Sequence, residues 1–451
     1  MTSILLTDLY QLTMAYGYWQ QKTYQQPSVF HLYFRKAPFG ERFALAAGLQ
    51  TAIQYLENFH FEVEEIQYLA SLTGYDKKRL FDESFLNHLQ RIKFQCSVSA
   101  IAEGTAVLAN EPLMRIEGPL LQAQLVETAL LNIINFQTLV ATKAARIVAA
   151  ADGDAVIEFG LRRAQGADGA VSASRAAYIG GCVGTSNVLA GMLHDIPVKG
   201  THAHSWVMAH GDELAAFRNY AAALPHNCIF LVDTYNTIEG IKKAITVGNE
   251  LRAQGARLIG IRLDSGDLTA LSIAARTLLD AAGMHDASIV ASNDLDEYEI
   301  RRLKAAGAKI NVWGVGTKLV TAYDQPALGG VYKLAALQDQ NTQEWAYKIK
   351  KSEDKAKASL PGILGVNRQL DTLANTCKDT IYHTQKNKIN EAEGTDLLQV
   401  IYEKGKLIYT PPTIAETRRQ AMHEWQIFSG LTGVNVGLDA DLQELITVIS
   451  D

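Results

Sequence analysis

Leu258-Ile259-Gly260-Ile261-Arg262-Leu263, followed by Asp264-Ser265-Gly266-Asp267, decides the fold. The short apolar run reads as a buried strand, and its polar, glycine-bearing tail reads as the turn that leaves it. Next comes an Ala/Leu-rich stretch of helical composition, 269–282, closed by Gly283, and then a second strand at Ser288-Ile289-Val290-Ala291. A glycine just past a helix supplies a left-handed cap without steric cost. Strand, helix and strand in this order demand a right-handed crossover between parallel strands.

The same unit recurs on both sides. Ala155-Val156-Ile157-Glu158-Phe159, 196–201, 228–232, 310–313 and 331–334 read as strands, and 237–254 and 295–306 as helices closed by Gly255 and Gly307. Six or seven such units over about 185 residues suit a closed or nearly closed barrel, with a doubly wound open sheet as the alternative. The N-terminal third reads differently: a helix at 11–18, a strand at 29–34, turns and β-branched residues over 92–118, and a long apolar helix over 118–146. The expected organisation is an α+β domain at 1–150, the barrel at 151–345, and a C-terminal segment at 346–451 that returns to pack on the first domain.

Composition narrows the function classes. The 451 residues are 48% hydrophobic and 20% charged with a formal net charge of -6, so the surface as a whole is no footprint for nucleic acid or anionic lipid. Cys96, Cys182, Cys228 and Cys377 lie far apart, which argues against a zinc clip or a disulfide framework. The N-terminus lacks the basic region of a signal peptide, and no long charge-free apolar run suggests a membrane span. A cytoplasmic protein is expected. The charged run 348–357 reads as a solvated loop or hairpin.

The unusual residues fall at strand ends: Glu158 to Arg163, Thr201 to His204, Asp233-Thr234-Tyr235-Asn236, Arg262 to Asp267, Ser292-Asn293-Asp294 and Gly314-Val315-Gly316-Thr317. In a barrel all of these converge on one face and make a candidate pocket. Gly314 and Gly316 would let backbone N–H groups approach an anion, and Thr317 would add a hydroxyl and cap the next helix. Lys318 follows, but the spacing is not that of a P-loop. Arg162, Arg163 and Arg262 suit phosphate or carboxylate, with a surface ion pair as the bland alternative for Arg163. Asp264 is the candidate for magnesium or ribose, while Asp267 reads equally well as a helix cap. His202 and His204 alternate along what reads as a strand end and would then share a face. Such a pair can hold a metal, move a proton or carry a phosphoryl group. A metal hydrolase needs further ligands, and His194, His210, His226 and His285 all fall away from strand ends.

Taken together, these residues resemble the nicotinate phosphoribosyltransferases. The resemblance runs from Thr7-Asp8-Leu9-Tyr10-Gln11-Leu12-Thr13-Met14 through Phe159-Gly160-Leu161-Arg162-Arg163, 180–187, 200–206 and 261–267 to 292–296 and 314–318, in order over nearly the whole chain. It implies an α/β fold: an incomplete or irregular (β/α) barrel with a second, sheet-containing α+β domain, working as a homodimer with active sites at the interface. It further implies that nicotinate and 5-phosphoribosyl 1-diphosphate give nicotinate mononucleotide and diphosphate, with Mg2+ as cofactor and ATP as co-substrate. His204 matches the phosphorylated histidine, and His202 falls outside that assignment. Phe159, Arg162, Arg262 and a partner's Tyr10 match positions that stack on the ring or bind its carboxylate. Ser292, Asn293, Gly314, Gly316 and Thr317 match the phosphoribosyl site, and Asp264, close to ribose and ring, joins His204 and Arg262 in the catalytic set. Leu161 and Arg163 stand where nicotinamide-using relatives carry Tyr and Gly. Ser186 stands where they carry an aspartate, which would repel a carboxylate, so nicotinate is expected over nicotinamide.

Overall fold

The computed structural model describes residues 3–350, 359–386 and 394–450, so residues 351–357 of the charged run lie outside the described residues. The chain forms two compact units, Val140–Pro326 on the one hand and Met1–Leu139 with Ala327–Asp451 on the other.

The Val140–Pro326 unit is built on a six-stranded parallel sheet. From one edge its strands are Gly184–Thr185, Ala155–Glu158, Val312–Val315, Ser288–Ala291, Gly260–Leu263 and Ile229–Leu231. Ala155–Glu158 therefore pairs with both the next strand in sequence and the last. That circular order is the order of a barrel, not of a doubly wound sheet. A single bridge, Thr185 to Val198, extends the open edge, and no strand pairing joins it to Ile229–Leu231 among the described residues. The barrel is incomplete at that seam.

The strand expected at 196–201 is thus reduced to one bridge, because Pro197 has no N–H to give to a ladder and Gly200 follows closely. The helices Thr237–Ala253, Leu268–Ala281 and Glu297–Ala305 are followed by Gly255, Gly283 and Gly307, all at left-handed φ (76°, 69° and 81°). Their N-termini are capped by the side chains of Asn236, Asp267 and Asp296. For Asp267 the cap is the observed role, its carboxylate accepting from Thr269 N and Ala270 N at 3.0 and 3.1 Å.

The other unit holds a seven-stranded antiparallel sheet and a four-stranded sheet. Pro27–Phe34 lies inside the larger sheet, between Met114–Pro119 and Gly330–Gln338. The run expected as a seventh barrel strand, 331–334, thus belongs here. It pairs antiparallel with Pro27–Phe34, and the helix that precedes it, Thr317–Val320, is a single turn, too short to pack along the sheet as a crossover helix. The long apolar helix expected over 118–146 is two helices, Leu120–Leu125 and Glu127–Ala151.

Buried histidines act as neutral acceptors in both units. His31 accepts from Leu364 N at 3.3 Å, and burial pushes its pKa down to about 3. In the barrel unit, His202 is likewise held by burial at about 4. The unfolded chain takes up these protons below pH 6.5, whereas the folded chain refuses them until pH 4 or lower. Stability is therefore intact above pH 6.5 and falls as the pH drops. Each histidine should cost about 2 kcal/mol between pH 7 and pH 5, from about 1.4 kcal/mol per pKa unit. Urea unfolding at both pH values should show this loss, and His31→Gln should reduce it by about one histidine's share; an undiminished loss would assign it to other groups.

Candidate active site

The carboxyl ends of the parallel strands enclose a cleft of about 380 Å³. Its lining includes Phe159, Arg162, Ser186, Arg262, Asp264, Ser292, Asn293, Gly314, Gly316 and Thr317. Leu161, Arg163, Thr201 and Asp294 complete the wall. Closing a parallel sheet toward a barrel brings these ends together whatever their distance in sequence.

Arg262 organises the floor. Its Nε donates to Ser292 Oγ at 2.8 Å, Nη1 to Thr201 Oγ1 at 3.1 Å and Nη2 to Asp264 Oδ1 at 2.8 Å. The guanidinium carbon stands 5.5 Å from the Phe159 ring centroid, in range for cation–π attraction. A planar fork with three fixed partners has little freedom left, so the cation is pre-positioned. Burial alone would raise the Asp264 carboxyl, but the Ser292 hydroxyl, Arg262 and His204 hold it below the ordinary carboxylate range. Arg162 is exposed at the cleft and makes no hydrogen bond or ion pair among the described residues. Its donors are available to a ligand.

A buried carboxylate sets the opposite wall. Glu158 accepts from Ser174 Oγ at 2.8 Å and Thr185 Oγ1 at 2.5 Å, and also from Gly160 N. Its carbonyl accepts from Ser186 N at 2.9 Å. The turn carrying Phe159 to Arg163 and the strand end carrying Ser186 are thereby tied to one residue.

Glycine at 314 serves ring packing. A Cβ there would sit 2.6 Å from the Phe159 ring, so the ring lies flat on the strand only because no side chain intervenes. The cap of the short helix Thr317–Val320 is Gly316, not Thr317, and it makes no side-chain cap bond. Lys318 turns to Asp296 at 2.8 Å, fastening the 314–318 turn to the loop after Ser292. In that loop Asn293 and Asp294 adopt left-handed φ of 101° and 52°, which their short polar side chains tolerate better than most.

The two histidines separate. The chain is irregular from Thr201 to Ala203, and His204 opens the helix His204–Met208, so the strand alternation that would align them is absent. His202 is buried, whereas the His204 side chain is 39% exposed and faces the strand ends. His204 Nδ1 lies 3.1 Å from Thr234 Oγ1, and its Nε2 lies 3.8 Å from Asp264 Oδ2 and 4.0 Å from Asp233 Oδ1. Asp233 is the residue that sequence reasoning left unassigned. Its Oδ2 accepts from Asp264 N and Ser265 Oγ, both at 2.7 Å, while Oδ1 is buried with no hydrogen-bond partner. The signal was an aspartate ending an apolar run, but the same pattern marks helix caps, and here Asn236 takes the cap. Tyr10 lies in the other unit, exposed, its hydroxyl 3.3 Å from Glu127. Among the described residues no three His, Cys, Asp or Glu side chains gather in a metal-holding group, and no helix is long and apolar enough to cross a membrane.

Incomplete parallel barrel and strand-end cleft together define an α/β protein with a pocket suited to an anionic ligand that bears a planar ring. Comparison with known proteins makes the assignment particular. The model of the nicotinate phosphoribosyltransferase N-terminal domain matches residues 5–135, and the nicotinate phosphoribosyltransferase family model matches residues 155–392. The chain belongs to the nicotinate phosphoribosyltransferase family. It is 44% identical over 436 residues to the nicotinate phosphoribosyltransferase of Bacillus subtilis, covering 92% of this chain and 87% of that one. The crystal structure of human nicotinic acid phosphoribosyltransferase superposes with a TM-score of 0.84 at 30% identity, covering 98% of this chain and 99% of the other. A nicotinate-nucleotide pyrophosphorylase from Pyrococcus furiosus shares the fold at a TM-score of 0.71 and 20% identity, over 94% of this chain and 95% of that one. Family membership displaces the metal-hydrolase alternative raised by the histidine pair.

Because Phe159 rests on Gly314, Gly314→Ala should push the ring off the strand at a cost of about 1–3 kcal/mol, the usual range for overpacking. A melting curve and a crystal structure of the variant check this; an unmoved ring at unchanged stability would contradict it.

Proposed function

We propose that this protein joins nicotinate to 5-phosphoribosyl 1-diphosphate, giving nicotinate mononucleotide and diphosphate in NAD salvage, with ATP hydrolysis coupled through phosphorylation of His204. The observation that carries the reading is the Arg262–Phe159 pair: a pre-positioned cation at a ring face, with the unpartnered Arg162 at the same cleft. A planar ring bearing a carboxylate satisfies both the aromatic surface and the guanidinium groups.

The reaction asks for little acid–base work. The pyridine nitrogen forms a bond to C1 of the ribose as the C1–oxygen bond to diphosphate breaks, and the ring becomes a pyridinium. Arg162, Arg262 and Phe159 would hold the ring so that its nitrogen points at C1, which is catalysis by orientation. Ser292, Asn293 and the 314–317 turn would receive the phosphoribosyl group. Asp233, with its orphaned Oδ1, and Asp264 fit the oxygen preference of magnesium. Bound there, Mg2+ would neutralise charge on the departing diphosphate.

His204 is the half-exposed nucleophile of this face. Its imidazole nitrogen would take the γ-phosphoryl group of ATP, breaking the bond to the β-phosphate oxygen and releasing ADP. Water later cleaves the N–P bond. Phosphorylation would alter affinity for the diphosphate substrate and so couple hydrolysis to binding.

The active protein is proposed to be a homodimer, with Tyr10 of each chain serving its partner's site. Two exposed apolar faces support a second copy of the chain: Val188, Leu189, Met192 and Leu193 on the helix Val188–His194, and Leu6, Leu9, Tyr10 and Met14 near the N-terminus. A cytoplasmic location accords with the substrates.

Incubation with γ-labelled ATP should give an acid-labile, base-stable label that is absent from His204→Ala and kept by His202→Ala; label persisting in His204→Ala would overturn the phosphohistidine assignment. Formation of nicotinate mononucleotide, with and without ATP, tests the reaction itself. Ser186→Asp should lower kcat/KM for nicotinate at least about tenfold and improve nicotinamide, since a carboxylate facing a carboxylate costs on the order of 1–3 kcal/mol. An unchanged ratio of the two bases would remove Ser186 from the specificity argument.

A further inference from the structure

The open seam leaves the Ile229–Leu231 strand with one edge that no strand covers among the described residues. N–H groups alternate sides along a strand. Val232 N donates to Arg262 O at 3.2 Å inside the sheet, so the N–H of Leu231 points into the seam. There it meets a side chain in place of a strand: Leu231 N donates to His202 Nε2 at 3.2 Å. An imidazole accepting at Nε2 carries its proton on Nδ1, which lies 3.4 Å from Ala203 O. Burial keeps the ring neutral, so the acceptor is present at physiological pH. The ring is also seated among Phe217, Tyr220 and Phe230, with centroids 5.9, 5.1 and 6.1 Å away.

This anchor lies between two residues that face the cleft floor. Thr201 Oγ1 accepts from Arg262 Nη1, and His204 Nδ1 meets Thr234 Oγ1, both at 3.1 Å. Thr201 to Ala203 has no regular structure of its own to hold its course. The Leu231 N–H is therefore the backbone tie that sets where the chain enters the His204 helix.

We infer that His202 is a positioning residue for His204: it fastens the 201–204 stretch to the uncovered edge of the barrel and so holds the His204 imidazole toward Asp233 and Asp264. The inference rests on the reading of His204 as phosphoryl acceptor. In-line phosphoryl transfer tolerates little displacement, and a shift of about 1 Å costs about a hundredfold. The second histidine of the pair then contributes geometry and touches no substrate.

The test compares His202→Phe, which refills the aromatic pocket without an acceptor, with His202→Gln, whose amide oxygen reaches the place of Nε2. His202→Leu serves where Phe disturbs folding. In the Phe variant the rate of His204 labelling from γ-labelled ATP should fall at least about tenfold. The ratio of the rate with ATP to the rate without it should fall with it, and hydrogen exchange at the Leu231 amide should quicken about tenfold or more. Gln should restore labelling to within about threefold of the parent chain. Labelling of the Phe or Leu variant at the parent rate overturns the inference, as does an equal fall of both rates, the mark of a merely structural role. A parent chain that takes no label overturns the phosphohistidine reading and this inference together, whereas equal label in parent and variant sinks the inference alone.

Discussion

Closure of the parallel sheet is the constraint on which the rest depends. Ala155–Glu158 pairs on one edge with Gly184–Thr185, the next strand in sequence, and on the other with Val312–Val315, the last, which is the strand order of a sheet that curls round on itself. Without it the ends at 159, 262, 292 and 314 would spread along an open row. With it they face one cleft, and a single guanidinium can reach a serine, a threonine and an aspartate from three separate stretches of chain.

Polar groups buried at the strand ends then make the cleft rigid. Glu158 gathers donors from Gly160, Ser174 and Thr185, and Asp233 from Asp264 and Ser265. Each carboxylate is an acceptor only, so donors on neighbouring strands must turn toward it, and that sets loop conformation more strictly than apolar packing would. The exception is the uncompensated Oδ1 of Asp233, and an orphaned buried oxygen at a strand end is where a cation-bearing substrate has most to offer.

Incomplete closure has its own consequences. A missing strand exposes backbone donors, and here a histidine ring covers one of them. The His-x-His pattern that first suggests a metal clamp resolves instead into a buried hydrogen-bond acceptor and an exposed imidazole facing the cleft. The separation follows from the backbone: a helix begins at His204, which rotates one imidazole away from the other.

The strand–helix rhythm, the glycine caps and the clustering of polar residues at strand ends were legible in the chain, because they reflect local periodicity and turn chemistry that each segment carries within itself. The resemblance to nicotinate phosphoribosyltransferases was legible for the same reason, being carried by short motifs in order. What depended on distant partners was not. Residues 331–334 have the composition of a barrel strand but pair with Pro27–Phe34, a choice made by sheet edges far away in sequence. The contact between Gly314 and the Phe159 ring and the approach of Asp233 to His204 join residues far apart in the chain, so neither could be read from the local sequence. Local sequence determines which elements form and what chemistry their ends carry, whereas tertiary structure decides which of those ends meet, because hydrogen bonds and ring contacts across the barrel join residues with no periodic relation to one another.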